Sequence, residues 1–285
     1  MAVLLPATGE RWSLAGSQRF PMQSVFKAPL GAMVLDAVDH GRMRLDSTLV
    51  LTARDLSVPY SAVGDSFPAR TRYTVGELLE AAAGRSDNTA ADVLLGLVGG
   101  PSALTTWLES RGLRGIRVDR FEREQQPAIT GIGVFRAELA SQAKLTEAVE
   151  RVPAPVRRAA ARRYLADSLD TFTPEVAVAF LDALRAGRLL APASTALLLR
   201  IMTESPTGPG RLRAGVPADA ALAHKTGTGP TVLGLSTARN DIGIVTLADG
   251  RTFEVAVLLS GSTADAESRE AVLAAAARAI VEAIK

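Results

Sequence analysis

The chain has no cysteine and only two histidines in 285 residues. Without thiols there is no disulfide framework, no thiolate metal site and no cysteine nucleophile, and the redox compartment is left undecided. Two isolated histidines cannot make a metal cluster. His224 directly precedes a lysine on an expected strand, so its side chain points to the opposite face; it and His40 are read as structural, and neither a metal nor a cofactor is expected. Aromatic residues make up 5% of the chain, and no apolar run approaches the ~20 residues of a membrane span. Charge of one sign is also lacking. Lys and Arg number 32 against 30 Asp and Glu, a net +2 that gives little case for nucleic-acid binding. No long low-complexity linker divides the chain. With 47% hydrophobic and 22% charged residues it can bury a large core as one unit or two lobes.

What is present is a set of three short words in fixed order: Ser24 to Lys27 as S-x-x-K, then Ser86-Asp87-Asn88, then Lys225-Thr226-Gly227. At roughly 5% usage per residue type, a given tripeptide is expected by chance on the order of 0.03 times in such a chain, and S-x-x-K about once. The tripeptides therefore carry the weight. A second S-x-x-K, Ser141 to Lys144, lies in a charged segment and reads as a decoy.

Ser24 is distinguished by its surroundings. Phe20-Pro21 precedes it, and Val25, Phe26, Ala28, Leu30, Met33, Val34, Leu35 and Val38 follow in a pattern that is apolar nearly all round, as in a buried helix. Ser24 is expected to open that helix. A spacing of three sets Lys27 beside the Ser24 hydroxyl, where a desolvated amine can accept its proton, and helix-terminal N–H groups favour developing negative charge.

The remaining punctuation predicts a hairpin from Val3–Leu5 and Arg11–Leu14, followed by a helical middle. Thr74 with Glu77 makes a capping box for a helix over 75–83; Pro101-Ser102 precedes a helix near Trp107; Thr173-Pro174 opens a helix that Gly187 ends. From about residue 220 the period becomes that of strands, over 221–228, 242–247 and 252–260, and a final helix is expected over 267–284. The fold class is thus mixed α/β (α+β). An antiparallel five-stranded sheet flanked by helices is assigned to residues 1–16 and 205–285, and an all-helical lobe to 17–204. The catalytic words fall at the seam.

These words and intervals resemble the class A serine β-lactamases, within the superfamily of penicillin-binding serine acyltransferases, over nearly the whole chain. The resemblance implies that Ser24 is the nucleophile acylated by a β-lactam, with Lys27 as its proton partner. It implies that Ser86 passes the proton to the departing ring nitrogen, Asn88 bonds the substrate's amide side chain, and Lys225 supplies positive charge near Ser86. Thr226, Gly227 and Thr228 belong to the substrate-facing strand, both threonines contacting the substrate carboxylate. The backbone N–H groups of Ser24 and Thr228 would form an oxyanion hole. Arg211 matches a position from which some members direct an arginine at that carboxylate; Arg239 is the other candidate. Tyr60 is read as an aromatic gate at the cleft mouth.

Glu122, 36 residues after Ser86, matches the family's deacylating glutamate in a segment, Val118 to Gln126, like the start of its Ω-shaped loop. Two departures stand out. Gln126 occupies the place of a water-holding asparagine. After Pro127 roughly forty extra residues, at about 130–168, intervene before Asp170 to Pro174, which resembles the loop's exit. Helices are expected over 134–149 and 155–167, the second with Arg157, Arg158, Arg162 and Arg163 on a solvated face. An Arg120 to Asp170 ion pair would have to close across the insertion. The resemblance also implies a helix ahead of the first strand and an export signal, hence a periplasmic or secreted location. Met1 to Leu5 is too short to hold either and lacks a charged flank.

Three readings follow: a β-lactam hydrolase acting as a monomer, a D-alanyl-D-alanine peptidase or transpeptidase, and a slowly acylated receptor without turnover. Glu122 favours the first.

Overall fold

A computed structural model describes residues 1–133, 139 and 141–284. The two ends of the chain meet in one antiparallel sheet. Its spatial order is Glu10–Ser13, Ala2–Leu5, Thr252–Leu259, Arg239–Thr246 and Ala221–Thr228. Val255 faces Val3 on one side and Gly243 on the other, so the last long hairpin inserts between N-terminal strand and Lys225 strand. The C-terminal helix Ala266–Ala283 covers one face, packing Leu273, Ala277 and Ile280 on Phe253, Val255 and Val245. On the other face Ala2, Leu4, Ile242 and Ala256 join a larger core with the helical segments between.

At the centre of that core runs the helix Lys27–Asp39, with Ala28, Leu30, Ala32, Val34 and Leu35 fully buried, as an all-round apolar pattern demands. Ser24 does not open this helix; it lies in a preceding 3-10 turn, Gln23–Phe26. The tighter turn eclipses side chains three apart, which serves the Ser24–Lys27 pairing better than an α-turn would.

The helix expected over 75–83 begins as predicted, with Thr74 and Glu77 exchanging both capping-box bonds. It then widens into a π-turn over Glu80–Gly84. Here Ala81, Ala82, Ala83 and Gly84 are buried, and a Cβ on Gly84 would approach Ile201 Cγ2 to 3.2 Å. Helices follow at Asn88–Leu97, Pro101–Ser110 and Pro174–Arg185, the last ended by Gly187 at φ +67°. The strand expected at 242–247 starts earlier, at Arg239. Asn240 and Asp241 are polar yet fully buried, and so break the apolar alternation that marks a strand.

Within the segment that the sequence suggested to be an insertion, helices run over Gln142–Arg151 and Ala154–Ala166. The first is shorter than the expected 134–149, of which residues 134–138 and 140 lie outside the described residues. Arg158, Arg162 and Arg163 are exposed as expected, but Arg157 is half-buried, and Ala160, Ala161 and Tyr164 turn inward, the last two onto Ile129 and Val232. Ser141 and Lys144 are exposed, Ser141 merely capping its helix.

Candidate active site

Ser24 Oγ accepts a 2.9 Å hydrogen bond from Lys27 Nζ. The lysine is fully buried and donates also to the Ser86 carbonyl at 2.8 Å and to Asn88 Oδ1. Its Nζ lies 3.2 Å from Glu122 Oε1, which in turn lies 3.5 Å from Ser24 Oγ. One small triangle thus contains a hydroxyl, an amine and a carboxylate.

Each corner is held by a different element. Ser86 takes φ +65° between the π-turn and the next helix, where Asp87 caps Asn88–Leu97 by accepting from Ala90 N. The Ser86 hydroxyl accepts at 3.0 Å from Lys225 Nζ, on the strand Ala221–Thr228. Burial, reinforced by the Lys27 charge, lowers the Lys225 pKa well below the usual lysine range. Gly227 lets that strand approach the serine turn: a Cβ there would stand 2.4 Å from the Met22 carbonyl. Asn240 closes the same seam by donating to Pro21 O at 2.8 Å and Met22 O at 3.2 Å.

Glu122 begins the helix Glu122–Thr130. Its backbone N–H and that of Arg123 both donate to Asp92, at 2.7 and 3.1 Å. The expected Arg120–Asp170 pair does close across the insertion, Nε to Oδ2 at 2.5 Å, and Asp170 also accepts from the N–H groups of Asp119 and Arg120. Gln126 donates to Glu122 Oε2 at 2.8 Å and to Gln23 Oε1 at 3.0 Å.

The cleft in front of these groups measures about 500 Å³. Ser24, Ser86, Asn88, Gln126, Tyr60 and Thr228 line it, and Gln142 of the insertion forms part of its rim. Tyr60 is 66% exposed at its mouth. Thr226 Oγ1 donates to Thr207 Oγ1 at 2.8 Å. Arg211 does not project freely into the cleft. It is 4% exposed, bonding Thr228 Oγ1 at 2.6 Å, Asn240 O at 3.0 Å and Glu270 at 3.1 Å, so that it acts on the cleft largely through Thr228. Arg239 lies 3.6 Å from the same Glu270. His224 is buried against Asp241 at 2.9 Å, on the face away from Lys225, and His40 bonds the Asp36 carbonyl at the end of its helix.

Sequence reasoning missed Asp92, Gln23 and Tyr164. A carboxylate four residues after Asn88 in an otherwise apolar helix was the available signal for Asp92. Gln23 gave none beyond adjacency to Ser24. Tyr164 is the one aromatic residue in an arginine-rich helix.

Comparison with known proteins identifies the family. A model of the Beta-lactamase enzyme family matches residues 1–284. The extended-spectrum β-lactamase PER-1 of Pseudomonas aeruginosa is 32% identical over 92% of this chain and 74% of its own. The carbapenem-hydrolyzing β-lactamase KPC of Klebsiella oxytoca is 31% identical over 96% and 80%. Among solved structures, a β-lactamase from Chitinophaga pinensis superposes with TM-score 0.82 at 32% identity, covering 100% of this chain and 93% of that one. An ancestral class A β-lactamase gives 0.79 at 38%, covering 99% and 92%. With motif order, fold and relatives in agreement over its whole length, the chain belongs to the class A β-lactamases.

Proposed function

We propose the following division of labour for β-lactam hydrolysis by this chain. Ser24 Oγ attacks the β-lactam carbonyl, its proton passing to Lys27; the C–N bond of the ring breaks, the ring nitrogen takes a proton from Ser86, held by Lys225, and Ser86 recovers one from Lys27. A water then attacks the ester. Glu122 takes the proton of that water, the C–Oγ bond breaks, and the same proton passes from Glu122 to Ser24 Oγ as the acid leaves. Thr226 and Thr228, the latter backed by Arg211, would receive the substrate carboxylate and Asn88 the amide side chain.

The observation that carries this reading is the Glu122 carboxylate, buried 3.2 Å from Lys27 Nζ and 3.5 Å from Ser24 Oγ. A peptidase or receptor reading has no use for a base in that position. The periplasmic or secreted location and the monomeric state that go with the reading rest on the family alone.

Turnover of a chromogenic cephalosporin, followed with intact-mass spectrometry on the same sample, tests it. Ser24→Ala should abolish both hydrolysis and the covalent adduct. Glu122→Gln should let a one-to-one adduct accumulate with deacylation slowed by about a hundredfold or more. Hydrolysis surviving in both variants would remove the assignment, and a stable adduct on the unaltered protein would point to a receptor.

A further inference from the structure

Four buried side chains form an unbroken line from the insertion to the water-activating carboxylate. Gln126 Nε2 donates to Glu122 Oε2 at 2.8 Å and to Gln23 Oε1 at 3.0 Å; Gln23 Nε2 donates to Tyr164 Oη at 2.5 Å. Exposure along the line is 1% at Glu122, 8% at Gln126, 1% at Gln23 and 5% at Tyr164.

The direction of every bond is fixed from the carboxylate outward. An ionised carboxylate only accepts, so Gln126 must show it an amide nitrogen. That nitrogen has two hydrogens, and the second points at Gln23, which must therefore answer with its oxygen. The Gln23 nitrogen is then turned away from the site and needs an acceptor of its own. Tyr164 supplies it. Its ring is held by Ile129, Ala161 and Val232 on one side, and the Arg120 guanidinium lies 5.8 Å from its centre.

We propose that Tyr164 is a positioning residue for deacylation, so that the inserted helix Ala154–Ala166 completes the site that the Glu122 helix begins. Without the phenol oxygen, a buried Gln23 N–H is left without an acceptor. The amide cannot recover the loss by turning over, since that sets nitrogen against nitrogen at Gln126; Gln23 is instead freed to shift, which loosens its hold on Gln126 and with it the bond that orients Glu122. The Ser24–Lys27 contact does not pass through this line, so acylation is spared. The inference rests on the reading of Glu122 as the deacylating base.

The test uses the full chain with Tyr164→Phe, Gln23→Met, the double variant and Glu122→Gln. Acylation and deacylation are measured separately by stopped flow with a chromogenic cephalosporin, with adduct by intact mass. Tyr164→Phe should slow deacylation roughly tenfold, the order of one lost buried hydrogen bond, with acylation within about twofold. Gln23→Met, which cuts the same line nearer the serine, should do the same, and the double variant should be no slower than the slower single. Equal slowing of both steps, unchanged deacylation in either single variant, or a double that falls by the product of the singles would overturn the proposal. If Tyr164→Phe does not fold, Gln23→Met alone decides through the split between the two steps. An adduct that fails to accumulate in Glu122→Gln would refute the reading of Glu122 itself; accumulation there with wild-type deacylation in Tyr164→Phe would refute only the role of Tyr164.

Discussion

Asp92 is held without a cation partner among the described residues, accepting from Ser57 Oγ and from the backbone of Glu122 and Arg123. Burial, with the Glu122 charge adding to it, raises its pKa from 3.8 to about 6. Because the folded value lies above the unfolded one, the stabilising contribution is complete below about pH 4 and is lost as pH rises through 6. The loss is on the order of 3 kcal/mol. Asp92→Asn should flatten this slope, so that thermal melts from pH 4 to 7 show the unaltered protein losing stability relative to the variant. At this scale the words Ser24 to Lys27, Ser86 to Asn88 and Lys225 to Gly227 were legible because each names a chemistry in a fixed local spacing. Asp92, Gln23 and Tyr164 were not, because their roles exist only through partners 30, 103 and 141 residues away.

Elements were legible where their causes are local. The capping box at Thr74 and Glu77, the Pro174 start and the Gly187 stop act within one turn, and the structure has all three. Thr74→Ala should cost about 1 kcal/mol in chemical denaturation. The π-turn over Glu80–Gly84 and the 3-10 turn over Gln23–Phe26 were not legible, since both are imposed by neighbours that crowd them. Gly227 shows the strength of that crowding. Gly227→Ala must push the strand off the Met22 carbonyl, a backbone atom that cannot step aside. We expect acylation to fall by more than about tenfold together with a lower melting temperature, measured by stopped flow and calorimetry; unchanged acylation would mean the seam is softer than its geometry implies.

For the molecule as a whole, the sheet built from the chain ends and the helices between them share one core, and a charge pair also joins them. Glu254, on the central strand Thr252–Leu259, is fully buried and meets Arg185 Nε of the helix Pro174–Arg185 at 2.5 Å, while its second oxygen has no partner among the described residues. Burial raises the Glu254 pKa despite the arginine. Arg185→Met should therefore cost about 2 kcal/mol in urea denaturation with an unchanged m value, less than for a wholly buried pair because Arg185 is 31% exposed. The strands could be read from the sequence, since their period reports them, whereas the antiparallel sense of the sheet and the reading of about 130–168 as an insertion came with the resemblance to the class A β-lactamases. The packing of the insertion against Val232 could not, because an arginine-rich helix with three small or aromatic inward residues has too narrow an apolar face to announce its partner.

The sheet order has one more implication. The strand Ala221–Thr228 ends the sheet among the described residues, so one side of its backbone has no neighbouring strand. Such a margin usually invites unwanted pairing. Here it borders the cleft, and a substrate that arrives extended, offering an amide, can lie along it as a temporary sixth strand. Recognition by the backbone in this manner would be indifferent to which side chain decorates the guest, and discrimination would then fall to the walls on either side.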